Sequence, residues 1–199
     1  VVGSKCGAMF PTGAVQEEID GVAVSCIDVA VPMVMMRAGD LGISGYDPDE
    51  ITGNAVLKQR IEKIRIEAGR RMGLGDVTES VVPKVGILAP PRSGGAVYSG
   101  YLTPHHVHES HAVTGAICVA CCMSIRGTVA SRIGRTLETR RTQPTVGGVA
   151  SNRIEHPSGA IEVRLQTEED SAELKIPRAG IVLTARKIMD GRVFVPESI

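Results

Sequence analysis

The chain has no tryptophan, only two phenylalanines and three tyrosines, so aromatic residues make up just 3% of its 199 positions. Large stacked rings therefore cannot build the core, whereas the plentiful Gly, Val, Ile and Met suit closely packed strands around a thin helix. An excess of charge is also missing. Twenty-two Lys and Arg balance twenty-two Asp and Glu, with no long block of one sign, which removes the footprint of a nucleic-acid or anionic-membrane binder. No run approaches the roughly 20 apolar residues of a membrane span. Val1-Val2-Gly3-Ser4 has neither the basic start nor the apolar core of a signal peptide. A soluble, cytoplasmic protein whose partner is a small molecule or another subunit, including a second copy in a homodimer, is expected. Five cysteines are an odd number, and Cys118, Cys121 and Cys122 sit in an alanine-rich apolar stretch, where a thiol behaves as a small hydrophobe. At 43% hydrophobic, the chain can fill one core or two small ones without disulfides or metals.

Two apolar runs, Val22 to Asp28 and Pro32 to Met36, read as strands bounded by Asp20-Gly21 and Gly39-Asp40. From Asn54 to Met72, Val56, Leu57, Ile61, Ile64, Ala68 and Met72 recur at helical spacing, while Lys58/Glu62, Lys63/Glu67 and Glu67/Arg71 form i,i+4 pairs on other faces. Asn54 is placed to cap this helix and Gly73 to stop it. Val82 to Ala89 and Val97 to Leu102 read as strands joined by a loop over Pro90 to Gly95. Ser110 to Met123 predicts a second helix, apolar on every side and hence buried. Short strand-like pieces follow at Gly127–Ile133, Gly147–Asn152, Ala160–Gln166, Ala172–Ile176, Gly180–Ala185 and Arg192–Pro196. One apolar helix among many strands predicts an α+β (mixed α/β) fold: a curved sheet wrapped around a central helix.

Four of the five histidines crowd into Thr103 to His111, just before the buried helix. Their spacing matches neither a helical HExxH pair nor a Cys/His zinc set, so no metal is assigned. The helix start offers other chemistry: its first-turn N–H groups carry the positive end of the dipole and suit an anion. Ser110, His111 and Thr114 add side-chain donors, and Ala112, Val113 and Gly115 complete the turn, the small residues leaving room for a carboxylate. The alternative is that Ser110 only caps the helix and the small residues only pack. Cys118-x-x-Cys121-Cys122 lies well inside the apolar helix and reads as packing rather than redox chemistry. Ser93-Gly94-Gly95 could cradle an anion or form a turn, and Ser158-Gly159, within His156-Pro157-Ser158-Gly159, could present donors from a loop.

The stretches Cys26 to Pro32, Asp40 to Gly45, Met72 to Asp76, His105 to Ala120, His156 to Gly159 and Thr184 to Pro196, in this order and spacing, resemble the later part of the 2-methylaconitate isomerase and 4-oxalomesaconate tautomerase family. Ser110-His111-Ala112-Val113-Thr114-Gly115-Ala116-Ile117 is most similar to the tautomerase branch. The resemblance implies a diaminopimelate epimerase-like fold of two similar domains with the active site between them. Residues 1–21 would be the tail of a largely absent first domain, 22–185 the second domain, and 186–199 a closing strand returning to the first. The epimerase's catalytic cysteine falls at Ala112, which has no titratable proton and excludes a two-thiol racemase; its Asn-Pro substrate contact appears as Val31-Pro32.

The implied activity is a cofactor-independent proton shift within an unsaturated tricarboxylate such as 4-oxalomesaconate, with 2-methylaconitate cis-trans isomerisation or a non-catalytic module binding di- or tricarboxylates as alternatives. The share of this chain would be carboxylate binding at Ser110 to Gly115, with Ser158 and Gly159 beside it. No catalytic base is identified here. His111 is the one candidate, and the positive helix start would lower its pKa and suit it to an orienting role.

Overall fold

The structure is a computed structural model that describes residues 4–103, 106–133, 149–170 and 173–194. Eight strands form one mixed sheet whose spatial order is the order of the chain: β1 (Glu17–Ile19), β2 (Val22–Asp28), β3 (Pro32–Arg37), β4 (Lys84–Ala89), β5 (Val97–Leu102), β6 (Val149–His156), β7 (Gly159–Asp170) and β8 (Glu173–Ile181). Neighbours run antiparallel except β3 with β4 and β5 with β6. A parallel pair needs a crossover connection, usually helical. Accordingly α1 (Asp49–Thr52) and α2 (Ala55–Arg71) lie between β3 and β4, and α3 (Val113–Ser124) between β5 and β6.

The two crossovers cover opposite faces. Side chains alternate along a strand, so Cys26, Val34, Met36, Val85, Ile87 and Tyr98 pack with the α2 residues Leu57, Ile61, Ile64 and Ala68. Ile27, Met33, Met35, Leu88, Val97 and Tyr101 pack with α3. The chain thus builds two cores, one on each side of a shared sheet. The β1–β2 hairpin turns at Asp20 (φ 52°) and Gly21 (φ 71°), the two left-handed positions that a tight hairpin requires.

Helix α2 follows its sequence signals closely. The Asn54 side chain accepts from the Leu57 amide at 3.0 Å. At the other end Gly73 (φ 77°) turns left-handed, with Gly73 N–H donating to the Arg70 carbonyl and Leu74 N–H to that of Gly69, the paired C-terminal bonds of a Schellman stop. Val56 departs from expectation: it is 77% exposed, because it stands one residue, about 100° of helix, away from the Leu57 stripe. Arg65 was not expected in the core, yet it is 1% exposed. Its guanidinium pairs with Glu62 at 2.7 Å and donates to the carbonyls of Val77 and Ser80 at 2.9 and 3.0 Å, tying the segment between α2 and β4 to the helix.

Helix α3 is enclosed. It packs against β2, β4, β6, β7 and β8. A flat sheet from β2 to β8 would extend roughly 29 Å at about 4.8 Å per strand, against a helix about 10 Å across. Contact with both ends therefore requires the sheet to bend around the helix. The thiols of Cys118, Cys121 and Cys122 are buried inside it, and all five cysteines are free.

Three strand expectations are corrected. Gly127–Ile133 contains a 3-10 turn at Ala130–Arg132: Thr128 Oγ1 donates to the Cys122 carbonyl at 2.6 Å and accepts from Ser131 N–H at 3.1 Å, and such local side-chain bonds compete with strand pairing. The pieces at Ala172–Ile176 and Gly180–Ala185 are one strand, β8, which ends at Ile181. Arg192 to Phe194 form no strand, and 195–199 lie outside the described residues. The stretch expected at Gly147–Asn152 enters them only at Val149, where β6 begins. Among the described residues no helix is long and apolar enough to cross a membrane.

Residues 4–21 lie against this sheet. Asp28 accepts from Ser4 Oγ at 2.5 Å and from the Lys5 and Cys6 amides at 2.7 Å each. Burial would raise the Asp28 pKa, but these bonds hold it below its ordinary value.

Replacing Arg65 with Met should remove the bonds that position Val77 to Val82 and leave those carbonyls unsatisfied, lowering unfolding stability by about 2 kcal/mol in urea titration. Arg60→Met, altering an exposed pair with Asp20, should change it by less than about 1 kcal/mol.

Candidate functional site

Between β5 and α3 the chain first doubles back. Leu102 bridges Val107 in antiparallel fashion, and His108 N–H donates to the Tyr101 carbonyl at 2.7 Å. Ser110 N–H donates to His108 Nδ1 at 3.0 Å. The backbone stays extended through Ala112 (φ −67°, ψ 138°), which occupies the N-cap position of α3 without any side-chain bond to the first turn. The helix therefore starts at Val113, not at Ser110, and Ser110 does not cap it. Its local bond to His108 keeps it outside the helix.

Because Ala112 has no side-chain acceptor, the Val113, Thr114 and Gly115 amides begin α3 uncapped, at the positive end of its dipole. Val113 and Thr114 are exposed, whereas the rest of the helix is buried except for the half-buried Ile117 and Ser124, so this start opens to solvent. Gly115 serves packing: a Cβ there would lie 2.4 Å from Tyr101 Cε2 and 3.0 Å from His111 Cε1. The room expected beside it for a carboxylate is filled by the Tyr101 ring, while its amide remains in the first turn. Burial pushes the Tyr101 phenol up to about 12, and Thr114 hydrogen-bonds to it.

His111 is buried, with Nε2 3.0 Å from Ser99 Oγ and Nδ1 3.0 Å from the Ala112 carbonyl. A carbonyl only accepts, so Nδ1 carries the proton and Nε2 accepts from the Ser99 hydroxyl. Burial, aided by the nearby His156 and His108, pushes its pKa down to about 4. The ring is neutral, and both nitrogens are engaged inside the protein. Sequence reasoning missed Ser99 and Tyr101, although their i,i+2 spacing in β5 places them on the α3 face.

The β6–β7 hairpin brings Ser158 and Gly159 to this region. Ser158 N–H donates to the Glu109 carbonyl at 3.0 Å, joining the turn to the segment that precedes α3. Ser158 Oγ lies 3.4 Å from His156 Nδ1, much as Ser110 Oγ lies 3.4 Å from His108 Nδ1, so two His-x-Ser turns stand side by side. Among the described residues no three His, Cys, Asp or Glu side chains are placed to share a metal ion; His105 lies outside them.

The loop at Ser93-Gly94-Gly95 does cradle an anion, and the anion is internal. The Glu155 carboxylate accepts from the Arg92, Ser93 and Gly95 amides at 2.8, 2.7 and 2.7 Å. A Cβ on Gly95 would stand 2.6 Å from Glu155 Cγ, so glycine is needed there. Burial would raise the Glu155 pKa, but the amides hold it below its ordinary value. The cysteine reading holds as well: burial raises the thiols, Cys121 to about 12 and Cys122 to about 11, and a protonated thiol is neither nucleophile nor ligand.

An α+β sheet bent around a buried helix with an uncapped start is the framework in which comparison with known proteins becomes informative. The chain belongs to the PrpF protein family, whose model matches residues 1–196. It is 41% identical over 194 residues to the (4E)-oxalomesaconate Delta-isomerase of Novosphingobium sp. (strain KA1), covering 97% of this chain and 51% of that protein. It is 40% identical over 196 residues to the 4-oxalomesaconate tautomerase of Pseudomonas putida, covering 98% and 51%. A solved methylitaconate-delta-isomerase shares the fold, with a TM-score of 0.72 and 22% identity over 92% of this chain and 51% of that one. The chain spans about half the length of the curated relatives it matches.

The buried neutral His111 makes a pH prediction. Its folded pKa is depressed below the ordinary value of about 6.5, so the unfolded state binds more protons in the interval between the two. Its contribution to stability is complete above about pH 6.5 and is lost as pH falls towards 4. Denaturant unfolding at about pH 7.5 and about pH 5 should show a loss on the order of 2 kcal/mol. In His111→Asn that pH-dependent part should disappear; an unchanged pH dependence would assign it to other groups.

Proposed function

We propose that this chain forms the carboxylate-binding part of a cofactor-independent isomerase that shifts a proton within an unsaturated tricarboxylate such as 4-oxalomesaconate. The observation that carries this reading is the uncapped, solvent-open start of α3, an otherwise buried helix. The names of the Novosphingobium and Pseudomonas relatives support the substrate class. Removing a proton beside a carboxylate or carbonyl leaves an enolate-like anion, and preorganised N–H groups aimed at the developing charge lower its energy. Ala112, Val113, Thr114 and Gly115 present those groups, with Ser110, Ser158 and Gly159 at the rim. His111 holds the approach to the helix: kept neutral, it adds no cation that would fix the substrate in its ground state.

His111 is not a free base, since its Nε2 already accepts the Ser99 hydroxyl. We therefore place the proton-transferring residues outside this chain. The same reading takes the fold as diaminopimelate epimerase-like, with residues 1–21 leading in from a first domain by way of β1 and residues 186–199 leading back to it. The exposure of Leu183, Ile188, Met189, Val193 and Phe194 supports that return, for this apolar stretch is 77–91% uncovered among the described residues.

Citrate, as a stable tricarboxylate, should shift the amide resonances of Ala112 to Gly115 in a heteronuclear NMR titration, and Ala112→Asp should abolish the shifts by placing a negative charge at the helix start. Shifts centred elsewhere would remove the proposal. The 199-residue chain alone should show no turnover of 4-oxalomesaconate. Turnover by the isolated chain, lost in His111→Asn, would refute the division of labour proposed here.

A further inference from the structure

We propose that the face of the sheet opposite α3 carries a second site, for a small multiply charged oxyanion, in a cavity of about 370 Å³ between the Pro90–Gly95 loop and the His156–Ala160 turn. It does not depend on the function proposed above. The α3 start belongs to the other face: Ile154 packs in the α3 core, so by strand alternation Arg153 and Glu155 point away from it, and Tyr98 belongs to the α2 core. The two regions meet at His156 and the turn that follows it.

The cavity is lined by Tyr46, Arg92, Ser93, Tyr98, Arg153 and His156, among others. The Tyr46 and Tyr98 rings meet at 4.7 Å and 54°, and the Tyr46 hydroxyl donates to the Pro90 carbonyl. On this wall the Arg92 guanidinium carbon sits over the Tyr46 ring, 3.4 Å from its centroid. Stacking uses the face of a guanidinium and leaves its in-plane N–H donors available. Arg92 and Arg153 make no side-chain ion pair among the described residues.

The neighbouring acids are already engaged. Glu155 spends its carboxylate on three loop amides. Glu162, opposite Arg153 in the ladder, accepts from Ser151 Oγ at 2.7 Å and Arg164 at 3.4 Å. Within the lining two guanidinium groups stand beside one carboxylate, that of Glu155, while Glu50, near Arg92, and Glu162, near Arg153, spend their oxygens on Ser44, Gly45, Ser151 and Arg164, so the donors left facing the cavity are the cationic ones. Planar, bidentate donors of this kind recognise carboxylate and phosphate oxygens alike, and the volume suits a ligand at the small end of known pockets.

The protein has no tryptophan, two of its three tyrosines line the cavity and the third, Tyr101, borders the α3 start, so intrinsic tyrosine fluorescence reports on the cavity alone in the Ala112→Asp background. Titration with inorganic phosphate and, separately, with citrate should give a saturable change for at least one of them, the better ligand naming the chemical source. Arg92→Gln and Arg153→Gln should each weaken binding about tenfold or more. Arg126→Gln, a charge-matched change at an exposed position away from the cavity, and Ala112→Asp, which blocks the α3 start, should leave the fluorescence response intact. Both arginines are free of ion pairs among the described residues, so circular dichroism and melting temperature should stay close to the parent. Binding undiminished in both arginine variants, a response lost in Ala112→Asp, or no saturation by either anion would overturn the site.

Discussion

The constraint on which this fold depends is the burial of α3. Val113 to Ser124 offers no polar face, so beyond its first turn it must be covered all round, and among the described residues the sheet is the structure that covers it. The sheet bends until β2, β4, β6, β7 and β8 all reach the helix. The opposite face of the same strands then needs its own cover, which α2 supplies along the Leu57, Ile61, Ile64 and Ala68 stripe. Few large rings are needed because a thin helix of Ala, Cys, Val and Gly brings the strands close, and the cysteines contribute volume rather than chemistry.

The proposed anion site sits where that burial stops. A helix that is apolar along its length still leaves its first amides unsatisfied, and here the preceding residues do not satisfy them. Ser110 bonds to His108 instead of capping, and Ala112 has nothing to offer. The approach is held from the sheet side, by Ser99 through His111 and by Tyr101 through the gap at Gly115. A polar helix start is thereby positioned by buried, neutral groups, an arrangement that keeps its field directed outward.

Anion handling recurs elsewhere on the sheet with the opposite outcome. The loop amides at Arg92, Ser93 and Gly95 are filled by Glu155 and serve stability, as the Lys5 and Cys6 amides are filled by Asp28. Sequence alone cannot distinguish a filled cradle from an open one, because the filling carboxylate lies 60 or more residues away in the Glu155 case. In both places backbone amides hold the carboxylate ionised, with the Ser4 hydroxyl adding to them at Asp28 and the Arg153 charge at Glu155.

Local pattern by itself determined the elements whose cause is local. The helical period, Asn54 cap and Gly73 stop of α2 were legible because each acts within a few residues, and the central helix was legible from its all-round apolarity. Asp20-Gly21 was legible as the boundary of β2, while the strand β1 that it joins to β2 was not. Tertiary structure decided what depends on distant partners. The start of α3 moved from Ser110 to Val113 because β5 captures the preceding segment, and the strand pattern at Gly127–Ile133 yielded to hydroxyl bonds around Thr128. Val56 was turned to solvent by its place on the helix, and Arg65 became a core residue because carbonyls from Val77 and Ser80 converge on it. The neutrality of His111 and the filling of the space at Gly115 likewise required Ser99 and Tyr101 to arrive from another strand, since burial and hydrogen bonding belong to the assembled environment and not to the residue.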